Sequence, residues 1–231
     1  PNFASPQPYV EELVMGDGSI EKRVMWKPLG DASESALLKF VQTYFDIDVY
    51  RRDHPKLKEI PFNSSNKYQV SIHQQANEKE HLLVMKGAPE RILRRCDTIL
   101  MNGKEEPFTT ERQAAIEQIQ LDLSRKGLRV LGFAERILDP AIYNNDYVYN
   151  TEVPNFPLGD DRESFPPEKP HTEAVFTKLC FVGMMAMIDP PRPQVPPAVE
   201  RCKRAGIRVI MVTGDHPITA KAIATKVGIL W

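Results

Sequence analysis

Residues 179–188, Leu-Cys-Phe-Val-Gly-Met-Met-Ala-Met-Ile, are the longest apolar run in the chain. The run is too short for a bilayer-spanning helix, which needs about 20 residues. A strand that is apolar at every position has no wet face and requires cover on both sides. The pattern after it predicts a helix over 196–205 closed by Gly206, a strand over 207–212 and a helix over 217–227 closed by Gly228. Two-faced strands alternating with helices read as a parallel βαβα arrangement, the opening of a doubly wound sheet. Such a sheet needs further strands to bury both faces.

The chain upstream has a different period. Tyr68, Val70 and Ile72 alternate with Gln69, Ser71 and His73, which predicts a half-buried strand, and 81–85 predicts its antiparallel partner. Lys86-Gly87-Ala88-Pro89 ends that strand, with Pro89 placed for the first turn of a short helix. A strand over 98–101 meets Asn102-Gly103, a hairpin turn signal. Thr110 and Gln113 predict the start of a helix that buries Ile116, Ile119 and Leu123 and stops at Gly127. Residues 128–134 then read as a strand with Arg129 on the same face as Leu131 and Phe133. Near the start, 9–14 and 20–26 read as a loose hairpin around Gly16-Asp17-Gly18. Asp31 and Glu34 predict a capped helix with an apolar stripe of Ala36, Leu37, Phe40, Val41 and Tyr44.

The expected organisation is an α+β body with an antiparallel sheet flanked by helices over 1–178, and a βαβα piece over 179–231. A polar stretch over about 139–177, studded with Pro140, Pro154, Pro157, Pro166, Pro167 and Pro170, reads as an irregular insertion. The net charge of −1 argues against a nucleic-acid binder, which shows a basic face. Three scattered cysteines suit a reduced chain better than a disulfide scaffold. The five histidines and three cysteines form no metal-ligand spacing, so no metal site is expected.

Several residues carry chemistry. Thr213-Gly214-Asp215 lies between an expected strand and a helix, where α/β sheets bind ligands. The glycine admits a phosphate to the backbone and the helix start offers N–H groups. Asp215 can hold water or magnesium there, or merely cap the helix. Lys86-Gly87 at a strand end can border a cleft, with the glycine admitting a flat ring. Phe62 can stack on a base or fill a core. Lys67 and Gln69 fall on the polar face of their strand. Arg129 among apolar neighbours needs a partner, and a phosphate would serve. Together these describe a pocket for an anionic nucleotide, although the common glycine-rich phosphate loops are absent.

Five segments occur in a distinctive order. They are Gly30-Asp31-Ala32-Ser33-Glu34-Ser35-Ala36-Leu37, Ile60-Pro61-Phe62-Asn63-Ser64-Ser65-Asn66-Lys67, Met85-Lys86-Gly87-Ala88-Pro89-Glu90-Arg91, Met187-Ile188-Asp189-Pro190-Pro191-Arg192 and Val212-Thr213-Gly214-Asp215-His216-Pro217. In this the chain resembles the large cytoplasmic loop of P-type cation-transporting ATPases, of the branch that exchanges sodium or protons for potassium. The resemblance implies a nucleotide-binding domain followed by part of a haloacid-dehalogenase-like phosphorylation domain. It implies that Phe62 stacks on adenine, with Glu34 and Gln69 at the adenine end. Lys67, Lys86 and Gly87 would line the pocket, Leu131 would pack beside the base and Arg129 would reach the phosphates. Thr213, Gly214 and Asp215 would contact the phosphoryl group, with Asp189 and Arg192 near the hinge and the nucleotide.

ATP is the implied ligand, with Mg²⁺ brought along. The implied partners are the remaining domains of a parent pump and a β-type subunit, at the cytosolic face of a plasma membrane, with the piece itself monomeric. The family's Asp-Lys-Thr-Gly-Thr and Gly-Asp-Gly-Val-Asn-Asp motifs do not occur in these residues. The chain alone is therefore expected to bind ATP without completing a pump cycle. A non-catalytic interaction module of the same fold is the alternative, motivated by the Pro-rich insertion.

Overall fold

The computed structural model describes residues 5–14, 19–62, 64, 67–76, 80–148 and 179–230. They form two units, divided between His54 and Pro55.

In the first unit, β1 (Ser5–Val14) and β2 (Ile20–Leu29) pair antiparallel from Ser5↔Leu29 to Val14↔Ile20, longer than the sequence predicts. The expected glycine turn at 16–18 lies outside the described residues. Helix α1 (Ala32–Val41) starts at Asp31, whose Oδ1 accepts from the Ser33 and Glu34 N–H groups at 2.8 and 3.0 Å. Capping of this kind satisfies amides that an isolated first turn leaves open. The expected apolar stripe is corrected. Leu38 is buried, with Val41 and Ile47 beside it, while Phe40 and Tyr44 are exposed. The helix stops at Val41, so Tyr44 lies past it, and α2 (Ile47–Asp53), capped by Asp46, supplies Ile47 instead.

The second unit is built on a seven-stranded mixed sheet. Its strands are β3 (Lys56–Ile60), β4 (Tyr68–Gln74), β5 (His81–Gly87), β6 (Cys96–Met101), β7 (Lys104–Pro107), β8 (Arg129–Leu138) and β9 (Leu179–Met187). They lie in the order β3-β4-β5-β8-β9-β6-β7. All neighbours are antiparallel except β6 and β9. The alternation predicted for β4 holds, with Tyr68, Val70 and Ile72 buried. They share a core with Leu83, Met85, Ala134 and Phe181. Helix α3 (Pro89–Leu93) adds Ile92 and Leu93 to that core, with Pro89 in its first turn. Asn102 and Gly103 both take positive φ, 51° and 76°, as the tight β6–β7 turn requires.

Helix α4 (Thr110–Arg125) is capped one residue earlier than expected. Thr109, not Thr110, accepts from the Arg112 N–H. Its interior face also differs. Gln120 and Ser124 are buried, Ile116 packs on the core, and Ile119 is exposed.

The tail departs most from expectation. The apolar run does become a strand, but β9 is inserted between β8 and β6 of this same sheet and runs antiparallel to β8. Leu179, Cys180 and Phe181 are buried, and the Phe181 ring stacks on Phe108 at 5.6 Å. The continuous apolarity therefore reflects an interior position in a mixed sheet, not the first strand of a parallel one. Helices α5 (Val195–Arg204) and α6 (Pro217–Lys226) form as predicted. Residues 207–212 between them join no ladder, and Val212 is 92% exposed. A two-faced apolar strand cannot pair without neighbours, and none of the described strands reaches it. Among the described residues no helix is long and apolar enough to cross a membrane.

Candidate functional site

Strand direction decides where the candidate residues meet. Strand β4 begins at Tyr68, β5 ends at Gly87, β8 begins at Arg129 and β9 ends at Met187, and register pairs Tyr68 with Gly87 and Arg129 with Met187. These termini share one end of the sheet. On the half-open face the register also aligns Gln69 with Lys86 and Lys86 with Phe133, with Leu131 and Arg129 further along β8. The opposite face of the same strands is the buried core. Four of the residues picked from sequence, Gln69, Lys86, Arg129 and Leu131, therefore converge because period-2 strands put alternate residues on one face, while Gly87, next to Lys86, faces the buried side.

Phe62 lies two residues beyond β3 at this end and is 62% exposed. A core role is excluded for it. An exposed ring offers a flat apolar platform.

Lys67 is not on β4, as the sequence reading has it, but one residue before it, in the left-handed region at φ 58°. Its carbonyl accepts the Ala88 N–H at 2.9 Å. Gly87 lies directly against this step. A Cβ there would stand 2.4 Å from the Lys67 carbonyl oxygen and 2.7 Å from the Tyr68 Cα. The chain needs glycine at 87 for its own packing, whatever ligand borders it.

Gln69 donates from Nε2 to Glu59 Oε1 at 2.6 Å, and Lys56 Nζ contacts the other carboxylate oxygen at 2.6 Å. Neither Glu59 nor Lys56 is visible from sequence, because Lys56-Leu57-Lys58-Glu59-Ile60 has only two apolar residues and gives no clear strand signal. The pairing Glu59↔Ser71 is what brings the carboxylate beside Gln69.

Arg129 does have a partner. Its Nε donates to Asp215 Oδ1 at 3.0 Å, and Nη2 donates to the same oxygen. Asp215 is only 17% exposed at its side chain, and its backbone N–H is held by Thr213 Oγ1 at 3.1 Å. Asp215 is therefore not the helix cap. His216 takes that position, its Nδ1 accepting from the Ile218 N–H at 3.4 Å. Thr219 Oγ1 donates to the Leu128 carbonyl at 3.1 Å, fixing α6 beside the start of β8. Two residues chosen separately from sequence are thus one ion pair.

Gly214, Asp189 and Arg192 are exposed, the last two following the end of β9. Glu34 belongs to the first unit, where its N–H completes the α1 cap. A cavity of about 570 Å³, lined by Lys58, Gln74, His81, Asn145 and Tyr147 among others, lies at the far end of the β4–β5 pair from these residues. Burial pushes the Cys96 and Cys180 thiols upward, so neither is a poised nucleophile. No cluster of three metal-ligating side chains occurs among the described residues.

Comparison with known proteins gives a consistent picture. Residues 14–194 match the family model for the P-type ATPase cytoplasmic domain N. The chain is 51% identical over 203 residues to a sodium/potassium-transporting ATPase subunit alpha of Tetronarce californica, covering 87% of this chain and 18% of that protein. It is 50% identical over 203 residues to the alpha-4 subunit of Homo sapiens, covering 87% and 18%. Against the alpha-4 subunit of Rattus norvegicus it is 49% identical over 231 residues, covering 99% and 20%. The chain spans about a fifth of the length of these relatives.

Proposed function

The chain belongs to the P-type ATPase family, as its cytoplasmic domain N, and from that premise we propose that it holds ATP at the sheet end where Phe62, Gln69, Lys86 and Arg129 gather. The observation that carries this reading is the exposed Phe62 ring two residues past β3, at the same end of the sheet as those residues. Adenine stacks on Phe62, and Gln69 meets its edge. Lys67 and Lys86 line the pocket, Leu131 packs beside the base, and Arg129 turns to the phosphates. Phosphoryl transfer is mostly positioning and charge stabilisation, which is the part this chain supplies. The acceptor carboxylate comes from outside these residues, which contain no Asp-Lys-Thr-Gly-Thr motif.

The domain boundary is proposed after β9 rather than at 178, because β9 is an interior strand of the seven-stranded sheet. The residues beyond it are then part of a haloacid-dehalogenase-like phosphorylation domain. Thr213, Gly214 and Asp215 contact the phosphoryl group there, and Asp189 and Arg192 lie near the hinge and the nucleotide. Mg²⁺ arrives on the triphosphate, where it neutralises phosphate charge. The parent is an ion pump exchanging sodium or protons for potassium at a plasma membrane, with a β-type subunit as partner.

The test is a titration with Mg-ATP to several millimolar, followed by NMR. Phe62 and Lys86 signals should shift, and Phe62→Ala should weaken binding about tenfold, since base–aromatic stacking is worth about 1–3 kcal/mol. Signals that stay fixed throughout would defeat the proposal.

A further inference from the structure

Gln69 is a candidate adenine contact, and its surroundings determine which way its amide faces. Its Nε2 donates to Glu59 Oε1 at 2.6 Å. An ionised carboxylate only accepts hydrogen bonds, so the amide must turn its NH₂ toward Glu59. The Gln69 carbonyl oxygen is then directed away from β3. Glu59 is itself fixed. Its second oxygen is engaged by Lys56 Nζ at 2.6 Å, and its side chain is 15% exposed. Reversing the Gln69 amide would set a carbonyl oxygen against a carboxylate oxygen in a part-buried place, which is repulsive.

Gln69 therefore turns its carbonyl acceptor toward a ligand on this face, while Glu59 holds one of its two N–H donors. The purine that fits has a donor at position 6, the amino group of adenine. A 6-keto purine would bring acceptor to acceptor. We propose that Glu59 is a positioning residue that sets base selectivity, through Gln69 and with Lys56 behind it. Glu59 touches no ligand. Its effect is to remove one of the two orientations in which a glutamine amide can bind. The inference rests on the nucleotide reading above and adds to it a preference for 6-amino over 6-keto purines.

The experiment compares Kd for ATP and for inosine triphosphate, which differ at position 6 and in the hydrogen on N1, on the full chain with Mg²⁺. Wild type should favour ATP about tenfold, the scale of one mismatched hydrogen bond. In Glu59→Gln the neighbouring side chain offers either a donor or an acceptor, so Gln69 is released to turn. The ratio should fall to within about threefold, mostly through tighter inosine triphosphate binding. A purely structural role would weaken both nucleotides alike and preserve the ratio. Gln69→Leu, which removes the amide from the half-open face, is the second variant and should abolish the preference even if Glu59→Gln does not fold. An unchanged ratio in either folded variant overturns the inference, as does equal binding of the two nucleotides by wild type. Failure of wild type to bind ATP at all would instead sink the nucleotide reading.

Discussion

Gly87→Ala isolates a packing constraint with few adjustable parts. The added Cβ would meet the Lys67 carbonyl oxygen at 2.4 Å, the Tyr68 Cα at 2.7 Å and the Tyr68 Cβ at 2.8 Å. Each is short of the closest approach real Cβ atoms show, the first by more than half an ångström. Two of the three are backbone atoms and cannot rotate away. The Lys67 carbonyl is held by the Ala88 N–H at 2.9 Å, and Tyr68 is paired with Gly87 and buried. Relief therefore means separating β4 from β5 at the site end. Overpacking of this kind costs about 1–3 kcal/mol, and its backbone character puts this case at the upper end. The alanine recovers at most about 1 kcal/mol by restricting the unfolded chain. A net loss of about 2–3 kcal/mol corresponds to a Tm lower by roughly 4–12 °C for a unit of this size. Differential scanning calorimetry reads the shift directly. Gly214→Ala is the control, because nothing lies within 4 Å of a Cβ at that glycine, and its Tm should stay within about 1 °C of wild type. A Gly87→Ala Tm equally close to wild type would refute the reasoning.

Two other outcomes follow from the same geometry. Asp215→Asn frees Arg129 from its carboxylate and removes a negative charge near the proposed phosphates. ATP affinity measured by calorimetry at low salt should rise by about two- to fivefold, because a half-exposed ion pair is worth at most about 1 kcal/mol. A fall in affinity would mean that the pair assists binding instead of competing with it. Alkylation of the folded chain near pH 8, followed by mass spectrometry, should modify Cys202 first. Burial raises the Cys96 and Cys180 thiols and keeps them protonated, whereas Cys202 is partly exposed. Preferential labelling of Cys96 would contradict its placement.

Local chemistry carried most of what the sequence reveals. The alternation in β4, the cap at Asp31, Pro89 in the first turn and the Asn102-Gly103 turn all depend on neighbours a few residues apart, and all are present. The placement of β9 was not legible, because an apolar run records that both faces are covered and not which strands cover them. Strand β3 was hidden for the opposite reason. An edge strand next to a polar face has few apolar residues to show. In the site, residue types and face were readable, since Gln69, Lys86, Leu131 and Arg129 follow from period 2. The couplings were not. Arg129 with Asp215 and Gln69 with Glu59 join residues 86 and 10 positions apart, and only the sheet register and the docking of α6 create them. The left-handed turn at Lys67 also removed that residue from the strand alternation that would otherwise place it.

The position of β9 has a consequence for how the molecule acquires its structure. In chain order the sheet is made as β3, β4, β5, then β6 and β7, then β8, and the interior strand β9 comes last. Until residues beyond 178 leave the ribosome, β8 is an open edge and the β6–β7 hairpin has no strand to join. The parallel ladder that joins them pairs Cys96 with Leu179, so loop closure over much of the chain precedes any gain from that contact. High contact order of this kind slows folding. Nascent chains that stop short of β9 therefore present an unpaired β8 edge to other chains. Extra residues between β8 and β9 add little to the closure cost, about 0.6 kcal/mol per doubling of the loop. Deleting the last strand, by contrast, leaves the sheet in two pieces.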